Sequence, residues 1–126
     1  MIISLSLVAL GGAIGASLRW VTGTLLLRVL GPSDFPLSII LVNVLGSLLM
    51  GFFVVVAAQR GLTYFNPFAL TGLLGSFTTF SAFSLETMAM IERGQIWQAG
   101  VYILLSVFLS IGALAGGLFL ARQVLT

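Results

Sequence analysis

Apolar residues occur in four long, almost unbroken blocks, separated by short stretches that contain proline, glycine or charged side chains. The blocks cover residues 2–30, 37–58, 67–91 and 97–121. A helix needs about 20 consecutive apolar residues to cross the hydrocarbon layer of a bilayer, and each block is near or above that length. The pattern therefore predicts an all-α membrane protein, with four transmembrane helices in a single transmembrane domain over residues 1–126.

The connections between the blocks contain residues that end helices. Two prolines lie within residues 31–36, Gly61 and Pro67 bracket the second connection, and residues 92–95 form the third. Proline cannot donate a backbone hydrogen bond and glycine tolerates unusual backbone angles, so both favour turns. The connections are short, which leaves almost no mass outside the predicted membrane region.

The amino-acid composition favours a lipid environment for this chain, and it excludes several classes of chemistry. Hydrophobic residues make up 60% of the chain and charged residues only 6%, against about 25% charged in an ordinary globular domain. Cysteine and histidine are both absent, which excludes disulfides, thiol nucleophiles, imidazole bases and the usual zinc and haem sites. The arginines are scattered singly, so the basic balance gives no indication of nucleic-acid binding.

The arginines are balanced between the two sides of the predicted membrane domain. With four spans, Arg60 and Arg122 lie on one side and Arg28 and Arg93 on the other, while Arg19 is ambiguous. An asymmetry of Lys and Arg between the two sides normally fixes the direction of insertion. A chain without that asymmetry is expected to insert both ways, which favours an antiparallel, dual-topology dimer.

Small residues recur along three of the predicted helices at intervals that suit close helix packing, which drives association in lipid. Four thin helices leave little room for an enclosed passage within one subunit, so an oligomer is expected. The glycines concerned are Gly11, Gly12, Gly15, Gly46, Gly51, Gly112 and Gly116.

The third block has the most polar composition. Residues 72–86 contain two glycines, five hydroxyl side chains, three phenylalanines and one carboxylate. Glycine and threonine both weaken helix propensity, so a break is predicted near residues 75–79. Irregular backbone at membrane depth persists only where protein or a polar cavity surrounds it. Carbonyls freed at such a break would suit a hard cation such as sodium.

One side of the third helix combines polar and aromatic groups. At 100° per residue, Thr79, Phe83 and Glu86 lie within about 60° of one another, and Phe80 lies beside Phe83. A carboxylate in the middle of a span costs about 2.5–3.5 kcal/mol on insertion scales, so Glu86 is a candidate functional residue.

The fourth and second helices add neutral hydrogen-bond donors. Tyr102, Ser106 and Ser110 recur at i, i+4 and i+8, and Asn43 is the single amide of the second block. Hydroxyls and amides donate hydrogen bonds, and the edges of phenyl rings are electropositive. A passage lined in this way favours a small anion over a cation, and offers it no deep trap such as a buried arginine.

Each of these features also has a purely structural explanation. Phenylalanines of membrane helices usually face lipid, and serine or threonine often donates to the carbonyl four residues earlier. Asn43 could hold helices together, Glu86 could lie close enough to the interface to be hydrated, and Arg19 could extend to the interface from a tilted helix. If the helices had no transport function, all of these structural explanations would have to be correct at once. We therefore favour a functional polar surface.

Three ordered motifs carry a resemblance to a known family, and the third is the most specific. They are Gly11-Gly12-x-x-Gly15-Ala16-x-x-Arg19-Trp20, Val42-Asn43-x-x-Gly46-Ser47 with Gly51, and Gly72-x-x-Gly75-x-x-Thr78-Thr79-Phe80-Ser81-x-Phe83-Ser84-x-Glu86. At these residues, and over its whole length, the chain resembles the Fluc (CrcB) family of small bacterial fluoride channels.

The resemblance implies a dual-topology homodimer with two antiparallel fluoride pores at the subunit interface, in the bacterial inner membrane. Phe80 and Phe83 would bind fluoride through their ring edges, Asn43 would donate its amide, and Ser110 would lie on a hydroxyl track. The likeness implies export of fluoride. We hypothesise that fluoride passes by passive electrodiffusion, and the residues do not distinguish this mechanism from proton-coupled exchange. The complete set of expected pore residues is Asn43, Phe80, Phe83, Ser110, Ser81, Thr79, Tyr102, Ser106, Glu86 and Arg19.

The resemblance also implies a structural sodium ion at the dimer interface, held by backbone carbonyls of Gly75 and Thr78. Arg19 resembles the basic residue near a pore entrance, and Glu86 resembles the acid near the outer end of the pore. One position departs from the family pattern: Ala82 stands where threonine is common. The missing hydroxyl predicts weaker conduction than an Ala82→Thr variant would show.

Three other functions are less consistent with the residues. A small multidrug exporter needs an intramembrane carboxylate on the first helix, but that helix carries Arg19 and no acid. A non-conducting assembly subunit would explain the glycines but not the polar third and fourth helices. An enzyme would need a nucleophile with a base, or a metal cluster, and Glu86 alone is insufficient.

Overall fold

The computed structural model describes residues 1–32 and 35–125, and within these ranges the regular structure is helical. Its elements are α1 (Ile2–Leu30), α2 (Leu37–Arg60), a 3₁₀ turn (Thr63–Phe65), a π-helical segment (Pro67–Leu74), α3 (Gly75–Phe77), α4 (Phe80–Glu92) and α5 (Ile96–Leu125). Four stretches of the described chain are long and apolar enough to cross a membrane: Ile2–Leu30, Leu37–Arg60, Thr63–Glu92 and Ile96–Leu125. The predicted four-span, all-helical architecture is confirmed.

The last three spans extend beyond the ends that hydropathy predicted, the third by only one residue, to Glu92. The second continues through Arg60 and stops at Gly61, whose φ of 68° is left-handed, a conformation that glycine adopts without a steric cost. The fourth extends to Leu125, past the apolar residues. Hydropathy marks the part of a helix that suits lipid, whereas the helix itself ends at its cap. In the first connection, Ser33 and Asp34 lie outside the described residues.

The third span is broken between α3 and α4, as the sequence predicted. Thr78 and Thr79 both have extended backbone, with φ and ψ of −82° and 159° at Thr78 and −152° and 122° at Thr79. Before the break, residues Pro67–Leu74 form a π-helix, an uncommon geometry that is enriched at functional sites. The break divides one span into two shorter helices that enter the site from opposite ends.

The first span packs tightly against the π-helical segment through glycines. A Cβ atom at Gly11 would overlap the Phe68 carbonyl oxygen, and one at Gly15 would overlap the Leu73 carbonyl oxygen. On the facing segment, a Cβ at Gly72 would lie 2.8 Å from the Val8 carbonyl oxygen. Small residues at this crossing allow the two backbones to touch, which is how helices associate without a hydrophobic driving force.

The second and fourth spans run in the same direction and also meet through glycines. Gly51 of α2 leaves no room for a Cβ against Leu114, and Gly117 of α5 leaves none against Leu48. Gly112 and Gly116 do not contact another helix of the same chain, because a Cβ at either would meet nothing within 4 Å among the described residues. Their predicted role in association between chains stays a prediction. Packing depends on which side of a helix faces its neighbour, and spacing alone does not determine it.

Candidate ion-binding site

Asn43 binds the broken third span at Thr79. Its Oδ1 accepts a hydrogen bond from the Thr79 backbone amide at 2.7 Å, and its Nδ2 donates to the Thr79 carbonyl at 3.0 Å. The extended backbone of Thr79 leaves its amide without a helical partner, and a membrane interior supplies no water to replace that partner. A carboxamide carries one acceptor and two donor hydrogens, so Asn43 bonds both the amide and the carbonyl of Thr79 and retains one donor hydrogen.

The break also removes the normal amide partners of the carbonyls before it, which include those of Gly75 and Thr78. In a continuous α-helix the Gly75 carbonyl would accept from the Thr79 amide, and the Thr78 carbonyl from the Ala82 amide. The Thr79 amide donates to Asn43 instead, and the Ala82 amide donates to Thr79 Oγ1 at 3.1 Å. Both amides are therefore diverted to side chains. Gly75 and Thr78 are the two residues whose carbonyls the sequence predicted as sodium ligands.

A cavity of about 320 Å³, which we name the donor cavity, lies beside the break between α2, α4 and α5. It brings Asn43, Thr79, Phe80, Phe83, Ser106 and Ser110 of the predicted set together. Neutral donors and aromatic rings line it, and none of the described residues that line it is charged. Its lining residues are Asn43, Ser47, Thr78, Thr79, Phe80, Phe83, Ser106, Val107, Ser110 and Ile111.

Two hydroxyls of this cavity form no hydrogen bond to their own helix. Ser106 Oγ is buried and has no hydrogen-bond partner among the residues that the structure describes. Ser110 also forms no side-chain hydrogen bond within the described ranges. Ser17 and Ser84, in contrast, donate to the carbonyls of Ala13 and Phe80, four residues earlier. The alternative in which Ser106 and Ser110 merely satisfy their own helix is therefore not supported.

Aromatic rings form a continuous row from the surface into the core. The ring centroids of Phe80 and Phe83 are 5.4 Å apart, those of Phe83 and Tyr102 are 5.1 Å apart, and those of Tyr102 and Phe35 are 5.6 Å apart. Phe80 is 77% exposed in the single chain, whereas Phe83 is 9% exposed and Tyr102 is fully buried. Phe80 thus occupies the open side of the donor cavity, and Phe83 closes its inner end.

Tyr102 does not line the donor cavity, although it shares a helical stripe with Ser106 and Ser110. It packs in the core with Phe83 and Ile40. Its hydroxyl is buried and has no hydrogen-bond partner in the described part of the chain. The predicted stripe therefore divides, with two serines at the cavity and the tyrosine behind Phe83.

A second, wider cavity of about 840 Å³ lies on the other side of the break, between α1, α2 and α4. We name it the arginine cavity. Arg19 lines it together with Thr79 and Ser81, and the Ser81 and Thr79 hydroxyl oxygens are 3.3 Å apart. Ala82 also lies here and not in the donor cavity. Thr79 borders both cavities, so the break separates a region with an arginine from a region with neutral donors.

Glu86 lies apart from both of these cavities. It borders a smaller space of about 190 Å³ near the end of α1 and the start of α2, together with Phe35 and Ser38. The prediction that Thr79 lies on the same side of a helix as Phe83 and Glu86 requires a continuous helix. Thr79 instead precedes the first residue of α4, and Glu86 lies almost two turns further on.

Ser47 was missed as a candidate by the sequence reasoning, although it lines the donor cavity. It follows Asn43 by four residues on α2, the spacing that places two side chains on one side of a helix. That spacing was the signal that could have found it. The spacing alone does not show which residues of α2 and α5 face each other. In the structure, this register places Ser47 in the same cavity as Ser106 and Ser110.

The four spans, the break and the donor cavity define a small multi-pass membrane protein with a polar site inside its helical bundle. A family model described as "CrcB-like protein, Camphor Resistance (CrcB)" matches residues 6–118. The chain belongs to the CrcB family.

Curated relatives match over nearly their whole length, and each carries the name fluoride-specific ion channel FluC. The relative from Roseobacter denitrificans is 62% identical over 96% of this chain and 97% of its own. The relative from Ruegeria sp. is 59% identical over the full length of both chains. A more distant relative from Agrobacterium fabrum is 42% identical over 97% of this chain and 98% of its own.

Proposed function

We propose that this chain forms a fluoride-selective channel, in which fluoride passes by electrodiffusion through a donor-lined route that includes the donor cavity. The observation that carries the proposal is the group of neutral donors beside the break. Asn43 keeps one donor hydrogen after it bonds Thr79, and Ser106 and Ser110 form no side-chain hydrogen bond within the described residues. Family membership and the names of relatives up to 62% identical support the identity of the ion.

Neutral donors suit the passage of a strongly hydrated anion. Amide and hydroxyl hydrogens replace part of the hydration shell, and the ring edges of Phe80 and Phe83 add partial positive charge. Conduction requires binding that is favourable enough for entry and weak enough for release. A buried arginine would bind the anion too tightly, and Arg19 lies in the arginine cavity on the other side of the break.

A second copy of the chain would complete the passage. The donor cavity is open on the side of Phe80, a large apolar side chain that is 77% exposed in the single chain. An open half-channel beside lipid would leave polar donors facing hydrocarbon, which is unfavourable. We therefore infer a homodimer in which each subunit contributes to two pores at the interface.

The two copies are inferred to be antiparallel. Arg28 lies in the last turn of α1 and Arg93 caps α4, whereas Arg60 and Arg122 lie at the ends of α2 and α5. With four spans these positions place two arginines on each side of the membrane. Without the usual asymmetry, both orientations are accessible during insertion. Reporter tags on the N-terminus should be found on both sides of the bacterial inner membrane.

A sodium ion at the dimer interface fits the carbonyls of Gly75 and Thr78. Hard cations prefer oxygen ligands, and the amides that would normally occupy these two carbonyls donate to Asn43 and Thr79 instead. When bound, the ion would hold the two broken spans together through electrostatic attraction. Replacing sodium by N-methylglucamine should lower fluoride flux, and unchanged flux would exclude the ion as a structural requirement.

Efflux from liposomes tests the channel function. Purified protein is reconstituted in vesicles loaded with fluoride or with chloride, and release is followed with ion-selective electrodes after the membrane potential is clamped. The proposal predicts rapid fluoride release and negligible chloride release. Chloride release as fast as fluoride release would remove the claim of selectivity, and no release of either ion would remove the channel. The alternative function, a small multidrug exporter, predicts instead that a proton gradient drives the transport of an organic cation.

A further inference from the structure

Ser47 lies on the same side of α2 as Asn43 and borders the donor cavity. Its side chain is half-buried, and its hydroxyl forms no hydrogen bond to any residue within the described ranges. A hydroxyl without a hydrogen-bond acceptor at membrane depth destabilises the protein. It is stabilised when another group accepts a hydrogen bond from it. Its position at the cavity suggests that the acceptor is a mobile species within the cavity.

Most hydroxyls for which a hydrogen bond is seen in the helices use the carbonyl four residues earlier. This local bond is the ordinary way for serine and threonine to be satisfied in a membrane helix. Ser47 has the Asn43 carbonyl at that same spacing and does not use it. The side chains that do form the bond are Ser6, Ser17, Thr24, Thr78, Ser84 and Thr87.

The packing of α2 against α5 sets the level of Ser47 along the cavity. Gly51 meets Leu114 and Leu118 across this interface. Because the two helices run in the same direction, one turn before Gly51 on α2 corresponds to one turn before those leucines on α5. Ser47 and Ser110 therefore lie at a similar level, at the end of the cavity away from Phe83.

We propose that Ser47 is a further hydrogen-bond donor to the permeating anion, facing the Ser110 hydroxyl across the donor cavity. The inference rests on the proposed channel function. An anion that has passed Asn43 would then be bound from both α2 and α5, instead of by α5 alone. The ligand class is a small monovalent anion that accepts hydrogen bonds, and fluoride is the one to test.

Fluoride flux from liposomes, measured over a range of fluoride concentrations, tests the role of Ser47. We expect Ser47→Ala to raise the half-saturating fluoride concentration about tenfold, the effect of losing one hydrogen bond to a charged partner. Ser47→Thr keeps the hydroxyl and should stay close to the wild type. Ser17→Ala is the matched control, because Ser17 is exposed and donates to the Ala13 carbonyl.

The outcomes separate this inference from the channel function itself. If Ser47→Ala shows the same concentration dependence as the wild type, Ser47 does not bind the anion and the channel proposal stands. If the wild type releases no fluoride, both proposals fail. Should alanine prevent dimer assembly on gel filtration, Ser47→Cys keeps a similar volume with a weaker donor. The inference then requires the same loss of affinity from cysteine, and wild-type affinity would overturn it.

Discussion

Asn43 and the backbone of Thr79 form a two-bond pair that joins the second span to the broken third span. This pair links the fold to the site. It replaces the helical partner of the Thr79 amide, which it diverts from the Gly75 carbonyl. It also positions the remaining amide hydrogen of Asn43 at the donor cavity.

Removing the Asn43 amide should damage stability and conduction together. In Asn43→Leu the Thr79 backbone amide loses its partner, and a buried unsatisfied group costs about 1–3 kcal/mol. We expect a lower free energy of unfolding in detergent, measured by denaturant titration, and loss of fluoride flux. Ser17→Ala serves as the control. Wild-type stability in Asn43→Leu would show that the pair is dispensable.

Gly46 is expected to be essential for the close approach of α2 to the break. A Cβ atom at Gly46 would overlap the Thr78 Cγ2 methyl group and lie 3.2 Å from Phe77 Cδ2. Gly46→Ala should therefore destabilise the fold by about 1–3 kcal/mol, a usual cost of overpacking, and reduce fluoride flux.

Thr78→Ser should rescue Gly46→Ala. Serine lacks the overlapping methyl group but keeps the hydroxyl that donates to the Leu74 carbonyl at 3.0 Å. The single Thr78→Ser variant is the matched control and should conduct like the wild type. Denaturant titration and fluoride efflux of the double variant provide the measurement, and a double variant as defective as Gly46→Ala would rule out this steric account.

Substitutions at Phe80 and Phe83 should distinguish an effect on conduction from an effect on the stability of the subunit. Phe83 is buried against Tyr102 and Ile40, so Phe83→Ile should lower the free energy of unfolding by about 1–3 kcal/mol. Phe80 is exposed in the subunit, so Phe80→Ile should change subunit stability much less. Both variants should lose fluoride flux in liposomes. Normal flux in Phe80→Ile would exclude its ring from the conduction route.

Restoring a hydroxyl at position 82 should increase conduction through the arginine cavity, and it tests whether that cavity forms part of the fluoride route together with the donor cavity. Ala82 borders the arginine cavity beside Ser81, so the added threonine hydroxyl would face that cavity. Ala82→Thr is expected to raise fluoride flux by up to about fivefold, the equivalent of one neutral hydrogen bond. Ala82→Val has the same shape without the donor and should not raise it. Equal flux from the wild type and Ala82→Thr would contradict the prediction.

The sequence predicted the spans and the break because both follow from local properties. Apolar length determines which segments suit lipid, and the glycines and threonines of residues 72–79 weaken the helix there. Contacts between spans depend on register, which hydropathy does not contain. For this reason the Asn43–Thr79 pair, the place of Ser47 and the packing role of Gly117 were not predicted. The helical angle between Thr79 and Glu86 was wrong because Thr79 lies in the break before α4. Phe83 and Glu86 both lie on α4, but they border different cavities, which helical angles alone do not predict.

The most direct test of the conduction route uses the absence of cysteine from the chain. A single Ser110→Cys substitution is reconstituted in liposomes and treated with a small water-soluble thiol reagent while fluoride efflux is recorded. Ser17→Cys, on an exposed part of α1, is the control. We predict that Ser110→Cys reacts and that its fluoride efflux stops, whereas efflux through Ser17→Cys is unaffected. Full modification of Ser110→Cys with undiminished efflux would contradict passage through the donor cavity.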